Sequence, residues 1–541
     1  MIRNPILKGF NPDPSICRVD KDYYIAVSTF EWFPGVRIYH STDLKHWQLV
    51  STPLNRISQL NMLGNPDSGG VWAPDLSYCN GQFWLIYSDV KVVDGNSWKD
   101  VANYLVTCET IDGTWSEPIH LNNSGFDPSL FHDDDGKKYL VNMVWDYRAS
   151  HHRFYGIVMQ EYSHEKRRLT GKPEIIFKGT NLKLTEAPHL YRWNGYYYLL
   201  TAEGGTQYEH AATLARSKSI HGPYEVHPDN PLISSWSHPH IDLQKAGHGS
   251  IVHTHTDEWY FVHLTARPVR RENSSLLPDR GYCPLGRETA IQKLYWQNGW
   301  PYVEGGNFPK VDVPSPKMPE QTINSTPVQL YDFNEVCLNS DLQTLRIPFT
   351  NQIGSLEDRP GYLRLFGRES LKSLFYNALV ARRWESLFFE ATTCIEYQPD
   401  CFLQFAGLTN YYNSNNWSSL HVTFDEEKGK IIDILLSVDG QVTSPIKGQE
   451  IVVPPESDRV YLKAAVSGEV YWYAYSFDGK IWQKIAYLFD SLILSDDFVA
   501  KNYGGFFTGA FTGMFCVDLT GRRLEADFDF FEYKEKEENI K

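Results

Sequence analysis

The stretch FNPDPSI (Phe10 to Ile16) decides the fold, because it returns four more times along the 541-residue chain and brings acid groups with it. The further copies are WAPDL (Trp72 to Leu76), FDPSL (Phe126 to Leu130), EAPHL (Glu186 to Leu190) and GHGSI (Gly247 to Ile251), about 50 to 60 residues apart. Each is followed by a polar turn signal and an aromatic-rich alternating run: DYYIAVS after Asp20-Lys21, QFWLIYS after Asn80-Gly81, KYLVNMV after Asp135-Gly136, YYYLLTA after Asn194-Gly195 and EWYFVHL after Thr256-Asp257. Asn-Gly or Asp-Gly between two such runs is a strong hairpin signal. Further alternating runs such as VRIYHST, NYLVTCE, GIVMQEY and ATLARSK come next, then a polar turn and a short closing strand. The spacing suits four short strands per unit and is too long for a solenoid repeat, so five units in series predict a five-bladed β-propeller.

Pro14, Pro74, Pro128 and Pro188 stand at the same place in four of the copies. Proline cannot donate to a ladder and is confined to strand starts and edges, so the motif belongs on the innermost strand at the central channel. Aligned on it, the preceding position holds Asp13, Ala73, Asp127, Ala187 and His248, and the position before that holds Trp72, Phe126, Glu186 and Gly247 in the last four copies. Three carboxylates, Asp13, Asp127 and Glu186, therefore converge from three blades on one mouth of one channel. Asp75 follows its proline, alternates to the other side of the strand and reads as structural.

Composition bounds the rest. With 42% hydrophobic and 22% charged residues the chain is an ordinary globular protein of two or three domains. A net charge of −15 without a basic tract argues against nucleic acid and anionic membranes as partners. No apolar run reaches bilayer length, and MIRNPILKGFNPDPS lacks the apolar core of a signal peptide. The eight cysteines are dispersed, with neither metal nor disulfide-framework spacing, which reads as a reducing cytoplasm. The 16 Trp and 33 Tyr suit either an all-β core or a surface that stacks on sugar rings.

The repeat runs to about Val303, with a long polar insert from Arg267 to Arg280 in the last unit. The proline-bearing VDVPSPKMPEQ (Val311 to Gln321) reads as a linker, and beyond it YLRLFGR, LFFEATTCIEY, CFLQFAGLTNYY, KIIDILLSV, VYLKAAVS and EVYWYAYSF have the pattern of a β-sandwich. No helical periodicity of useful length is present. The expected architecture is thus all-β, with a propeller over 1–310, a linker over 311–321 and a sandwich over 322–541.

Carboxylates meeting in an aromatic-lined concavity without a metal-ligand cluster is the layout of glycoside hydrolysis, where one acid protonates the departing oxygen and one base activates water. NPILKGFNPDPSI, GGVWAPDLSY, GFDPSLFHDDDGKKYL, LTEAPHLY and AGHGS resemble the propeller motifs of glycoside hydrolase family 43, specifically its β-xylosidases. The ending GGFFTGAFTGMFCVDLTGRRLEADFDFFEY is similar to the C-terminal sandwich of the two-domain members. The resemblance implies that Asp13 is the general base, Glu186 the general acid and Asp127 the group that orients Glu186 and raises its pKa. Because the family inverts, it also implies about 6.5 to 9.5 Å between Asp13 and Glu186.

By the same resemblance Phe30 and Trp72 are apolar walls of the sugar pocket, Arg287 lies near the sugar hydroxyls, and Phe507, with Phe506 as the alternative, reaches the pocket from the sandwich. In relatives the histidine matching His248 lies at the channel beneath the sugar, in some of them with a divalent cation such as calcium. No Asp/Glu oxygen cage accompanies it here, so no metal or cofactor is assigned. The implied activity is an exo-acting β-1,4-xylosidase on xylooligosaccharides with secondary α-L-arabinofuranosidase activity. The alternatives are a primary arabinofuranosidase and a non-catalytic carbohydrate-binding propeller. The resemblance also implies a homo-oligomer, which no feature of the sequence itself demonstrates.

Overall fold

Five antiparallel meanders of four strands, one of them extended by the short strand Ile233–Ser234, occupy residues 15–303 in this computed structural model. The structure describes residues 1–93, 98–271, 280–322, 327–503 and 507–537. The chain divides into two compact units, one comprising 1–281 and 287–323, the other 282–286 and 324–541.

In the first unit the innermost strands are Ser15–Val19, Gly70–Cys79, Ser129–His132, Glu186–Trp193 and Gln244–His253, each at one edge of its sheet. The hairpins follow the turn chemistry: Asn80-Gly81 and Asn194-Gly195 form two-residue turns with φ of 54° and 76°, and 50° and 72°. Both central residues need positive φ there, which Asn and Gly supply cheaply. Apolar faces of adjacent sheets pack against each other. Between the fourth and fifth blades Tyr198, Phe261 and Trp300 are buried, with Trp193, Trp259 and Trp296 packed around them. Much of the aromatic content thus serves the gaps between blades rather than a sugar-binding surface.

The ring is closed by the N-terminal segment. Ile2–Arg3 pairs with Asp312–Val313, and the Asn4 side chain donates to the carbonyls of Ile291 and Lys310, both at 2.8 Å. The stretch 311–321 consequently lies along this unit: Val311 accepts from the Asn4 amide at 2.7 Å and Gln321 N donates to Asp43 Oδ2 at 2.8 Å. Its prolines lack donors, but its carbonyls and remaining amides still pair.

All five inner strands carry the same irregularity. In the second blade Trp72 pairs with Ser88 and Asp75 with Ile86; in the fourth Glu186 pairs with Ala202 and His189 with Leu200; in the fifth Gly247 pairs with Leu264 and Ser250 with Val262. Pro12 and Phe126 accept from Ser28 N and Met143 N in the first and third blades, where Ser15 pairs with Ala26 and Ser129 with Val141. Each time three steps on the inner strand face two on its neighbour, which is a β-bulge. The extra residue is Asp13, Ala73, Asp127, Ala187 or His248, and all five have positive φ: 56°, 21°, 52°, 50° and 23°.

Two residues after the bulge stand Ser15, Asp75, Ser129, His189 and Ser250, a polar ring around the channel. An inner edge strand leaves amides unpaired, and this ring supplies acceptors from the neighbouring blade. Ser250 Oγ accepts from Ile16 N (2.7 Å), Ser15 Oγ from Leu76 N (3.1 Å) and Asp75 Oδ2 from Leu130 N (2.9 Å). The fifth blade is capped by a tyrosine instead, Tyr191 Oη accepting from Ile251 N at 2.9 Å.

The second unit is a sandwich of a nine-stranded and a seven-stranded antiparallel sheet. Two of its elements escape the sequence pattern. Ala378–Arg383 is a strand buried along its whole length, and its closing arginines make it read as polar; Arg382 is in fact neutralised by Glu385 at 2.7 Å and stacks 3.9 Å from the Tyr533 ring. The helix Asp496–Tyr503, with Asp496 and Asp497 in its first turn, is too short to display a period.

Asp75 ties four blades together. Besides Leu130 N it accepts from Ser15 Oγ at 2.9 Å and faces His189 Nδ1 at 3.5 Å. Burial would raise its pKa, but His189, the Leu130 amide and Ser15 outweigh that and hold it below the ordinary value. Asp75→Ala leaves these buried partners unsatisfied and is expected to cost about 3 to 5 kcal/mol, read as a lowered denaturant midpoint. Because the folded pKa is depressed, this contribution is present above about pH 4 and is lost as pH falls through the folded value, so wild type and variant should converge in acid.

Candidate active site

The bulge aims the acids. A residue in left-handed backbone costs roughly 1 to 2 kcal/mol unless it is glycine, and such strain gathers where side chains must be placed against the local preference. Asp13 and Asp127 occupy that position in the first and third blades, and Glu186 stands one residue before it in the fourth. All three are buried, and their charges act on one another, so the convergence expected from the motif is present.

Their surroundings differ. Asp13 Oδ2 accepts from Ser28 Oγ at 2.7 Å, while Oδ1 lies 3.5 Å from Arg287 Nη1 and 3.6 Å from His248 Nδ1. Burial favours the neutral acid, but Arg287, His248 and Ser28 together win and hold Asp13 below its ordinary value. Glu186 has the opposite balance. Burial and then the charge of Asp13 push it up to about 8, against the weaker pull of Arg287 and Lys99. Asp127 is also pushed well above its ordinary value, by burial and by the charges of Glu186 and Asp13, although it accepts from Ala187 N at 3.2 Å. The charge of Asp13 is among those that raise Glu186, and Asp127 and Glu186 act on each other as a buried pair of acids. Glu186 and Asp127 form a pair that retains a proton into the neutral range.

Aromatic rings pack together close to these carboxylates. Phe30 lies 5.6 Å from Phe10 and 6.0 Å from Trp72, Trp72 meets Phe126 edge-on at 5.3 Å, and Phe126 is 5.9 Å from Trp145. Phe30 is held by reciprocal bonds with Val71 at 2.9 and 3.0 Å, and its carbonyl passes so close to Gly70 that a Cβ there would be 2.4 Å away. Trp72 is fixed by Nε1 donating to Ser68 O at 2.8 Å. Arg287 stands 5.6 Å over the Phe30 ring and is buried.

His248 is buried, and burial depresses its pKa to about 4, so it is neutral near pH 7. Its surroundings do not make a hard-cation cage, since the Asp13 oxygen facing its ring also faces the Arg287 guanidinium. Among the described residues no group of three His, Cys, Asp or Glu side chains is spaced to hold a metal ion. Phe507 is half-buried in the second unit, and Phe506 lies outside the described residues.

Sequence reasoning missed Lys99, whose Nζ sits 5.0 Å from the Trp72 ring and 4.9 Å from that of Trp145 and whose charge reaches Glu186. It stands outside the repeated motif, so no alignment of the copies brings it forward. Ser28 was missed too, although the hairpin register, which sets it opposite Pro12 beside Asp13, is a signal that could have found it.

Known proteins share this chain's architecture from end to end. The family model for glycosyl hydrolases family 43 matches residues 2–301, and that for the β-xylosidase C-terminal concanavalin A-like domain matches 331–534. A β-xylosidase of Bacillus subtilis (strain 168) is 60% identical over 99% of this chain and 100% of its own length. Xylosidase/arabinosidase 43B of Humicola insolens is 48% identical over 98% and 97%. The crystal structure of xylan β-1,4-xylosidase from Bacillus halodurans C-125 superposes with a TM-score of 0.95 at 52% identity, covering 99% of this chain and 100% of that one. Among the described residues no helix is long and apolar enough to cross a membrane. Matched by the family model over more than half its length and by full-length relatives at this identity, the chain belongs to glycosyl hydrolases family 43.

Proposed function

We propose that this protein is an exo-acting, inverting β-1,4-xylosidase that releases xylose from the non-reducing ends of xylooligosaccharides, with a secondary α-L-arabinofuranosidase activity. The observation that carries the reading is the separation of two carboxyls in one site, Asp13 held below its ordinary value and Glu186 pushed up to about 8. Two acids driven apart in this way are an acid/base pair. The names of the Bacillus relatives support xylose as the sugar. The Humicola relative's name, which includes arabinosidase, favours arabinofuranosidase as the second reading. The eight cysteines are all unpaired, which supports a cytoplasmic setting.

In the proposed reaction ionised Asp13 takes a proton from a water molecule as its oxygen attacks the anomeric carbon. Protonated Glu186 gives its proton to the glycosidic oxygen, the bond to that oxygen breaks, and the shortened chain leaves as an alcohol. The carboxylate left on Glu186 faces the charges of Arg287 and Lys99. Asp127, bonded to the amide next to Glu186, positions the acid. Trp72 and Phe30 offer apolar faces to the sugar ring.

Rates on xylobiose, an aryl β-xyloside and an aryl α-arabinofuranoside test the reading, with proton NMR of the first product. The expected order places the xylosides first and yields α-xylose; β-xylose would remove Asp13 as base. In the same assay Glu186→Ala should lose far more activity on xylobiose than on the activated aryl xyloside, because only the poor leaving group needs protonation, whereas Asp13→Ala should lose both about equally. Equal losses for Glu186→Ala would count against its role as acid.

The pH profile of kcat/KM follows from the two directions. Activity is lost as pH falls through the depressed pKa of Asp13, below about 4, and as pH rises through about 8, where Glu186 gives up its proton. Asp127→Asn leaves Glu186 beside a neutral amide, and the alkaline limb should move to lower pH. An unchanged limb with reduced activity would make Asp127 an orienting group alone.

We also propose that the loop at 504–511 of the sandwich walls off the far side of the terminal sugar through Phe507, so that chains are cut only from their ends. Ala510 N donates to Pro284 O at 2.8 Å and Thr508 is buried, which anchors the chain just after Phe507; residues 504–506 lie outside the described residues. Phe507→Ala should weaken xylobiose hydrolysis with little change in Tm. A core phenylalanine would cost about 3 to 5 kcal/mol, so a large drop in Tm with unchanged kinetics would dispose of the idea.

A further inference from the structure

At the position that carries Pro12, Trp72, Phe126 and Glu186 in the first four blades, the fifth has Gly247. Three of those four residues present large side chains to the channel mouth, so a glycine there leaves a gap in the wall. The gap is filled from the neighbouring blade. A Cβ on Gly247 would lie 2.1 Å from Cδ2 and 2.5 Å from Nε2 of His210, which means that the His210 ring occupies the space a side chain at 247 would take.

His210 is 1% exposed and firmly set: its amide donates to Gln207 O at 3.2 Å and its carbonyl accepts from Ser234 Oγ at 2.8 Å. Its Nδ1 bonds to the carbonyl of Gly205. A carbonyl only accepts, so Nδ1 carries the hydrogen, and in the neutral ring Nε2 is left as a lone-pair acceptor. Burial keeps the ring neutral, with its pKa lowered to about 3. Nε2 has no hydrogen-bond partner among the described residues, although an orphaned acceptor at this depth is costly. The ring fills the place of a side chain on Gly247, and the next residue, His248, has its Nδ1 3.6 Å from Asp13 Oδ1, which sets the ring beside the acids.

We propose that His210 is a substrate-positioning residue whose Nε2 accepts a hydrogen bond from one hydroxyl of the terminal sugar, and that Gly247 is glycine to admit its ring to the wall. This inference rests on the glycosidase reading above. The ligand chemistry is a neutral hydroxyl donor: the Arg287 guanidinium nearby disfavours a cation, and a lone pair disfavours an anion. A site that reads a hydroxyl through a buried acceptor rejects the analogue lacking it, because the acceptor is then left unpaired.

The test measures kcat/KM for an aryl β-xyloside and its 2-, 3- and 4-deoxy analogues with wild type, His210→Asn, His210→Gln and Gly247→Ala, each checked for Tm. Asn can keep the bond to Gly205 while removing the Nε2 acceptor; Gln keeps an acceptor near the Nε2 position. Wild type should lose about 10- to 100-fold on one deoxy analogue beyond its losses on the others. His210→Asn should lose a similar factor on the parent sugar and little more on that analogue. His210→Gln should retain most of the discrimination. Gly247→Ala, which displaces the ring without altering it, should behave as His210→Asn does and serves as the second variant if that one is unstable. Uniform losses across parent and analogues in both His210→Asn and Gly247→Ala would overturn the proposal. Failure of wild type to hydrolyse the parent xyloside would instead overturn the glycosidase reading, and the two failures are thereby told apart.

Discussion

The first unit depends on how the unpaired amides at the inner edges of five sheets are satisfied. A propeller brings five edge strands to one axis, where they stand too far apart in direction to pair with one another. Here four of the five blades lend an acceptor to the next, Ser250 to Ile16, Ser15 to Leu76, Asp75 to Leu130 and Tyr191 to Ile251, while Ser129 of the third donates to the carbonyl of Pro188. Buried amides without partners would cost about 1 to 3 kcal/mol each, so this ring is a condition for closing the channel. It also sets the register of one blade against the next, and hence the relative positions of everything the inner strands carry.

The bulge next to the ring turns that rigidity into a site. With one extra residue per inner strand, the polar ring faces the channel and the residues just before it face the mouth. Five positive-φ residues in equivalent places show that the strain belongs to the blade design and is not confined to the acids. Ala73 and Ala187 bear it without an ionisable group, while Asp13, Asp127 and His248 use the same geometry to place one. The scaffold thus provides five addresses, and the chemistry depends on which side chain stands at each.

Electrostatics then gives similar groups different states. Asp13 and Glu186 are equally buried carboxylic acids. What separates them is the distribution of donors and cations: Arg287, His248 and Ser28 gather on Asp13, while for Glu186 burial and the charge of Asp13 outweigh Arg287 and Lys99. The cations lie among aromatic rings, Arg287 over Phe30 and Lys99 over Trp72 and Trp145, where they keep company with faces of partial negative charge.

Sequence by itself determined the blade count, the hairpins at Asn80-Gly81 and Asn194-Gly195, the sandwich pattern and the three acids, because all of these are local or repeated signals. Period-two alternation and turn chemistry act over a few residues, and five copies of one motif expose what a single copy would hide. Tertiary structure alone decided the rest. The polar ring joins residues some 55 to 235 positions apart, and Lys99 comes from outside the repeat. Arg382 and Arg383 are buried despite their charge, which no local pattern indicates. Gly247 gains a meaning only when His210, 37 residues away in another blade, is seen to fill its place. The pKa order of Asp13 and Glu186 belongs to this class too, since it follows from which charges face which carboxyl across blades, a matter of packing that no local pattern encodes.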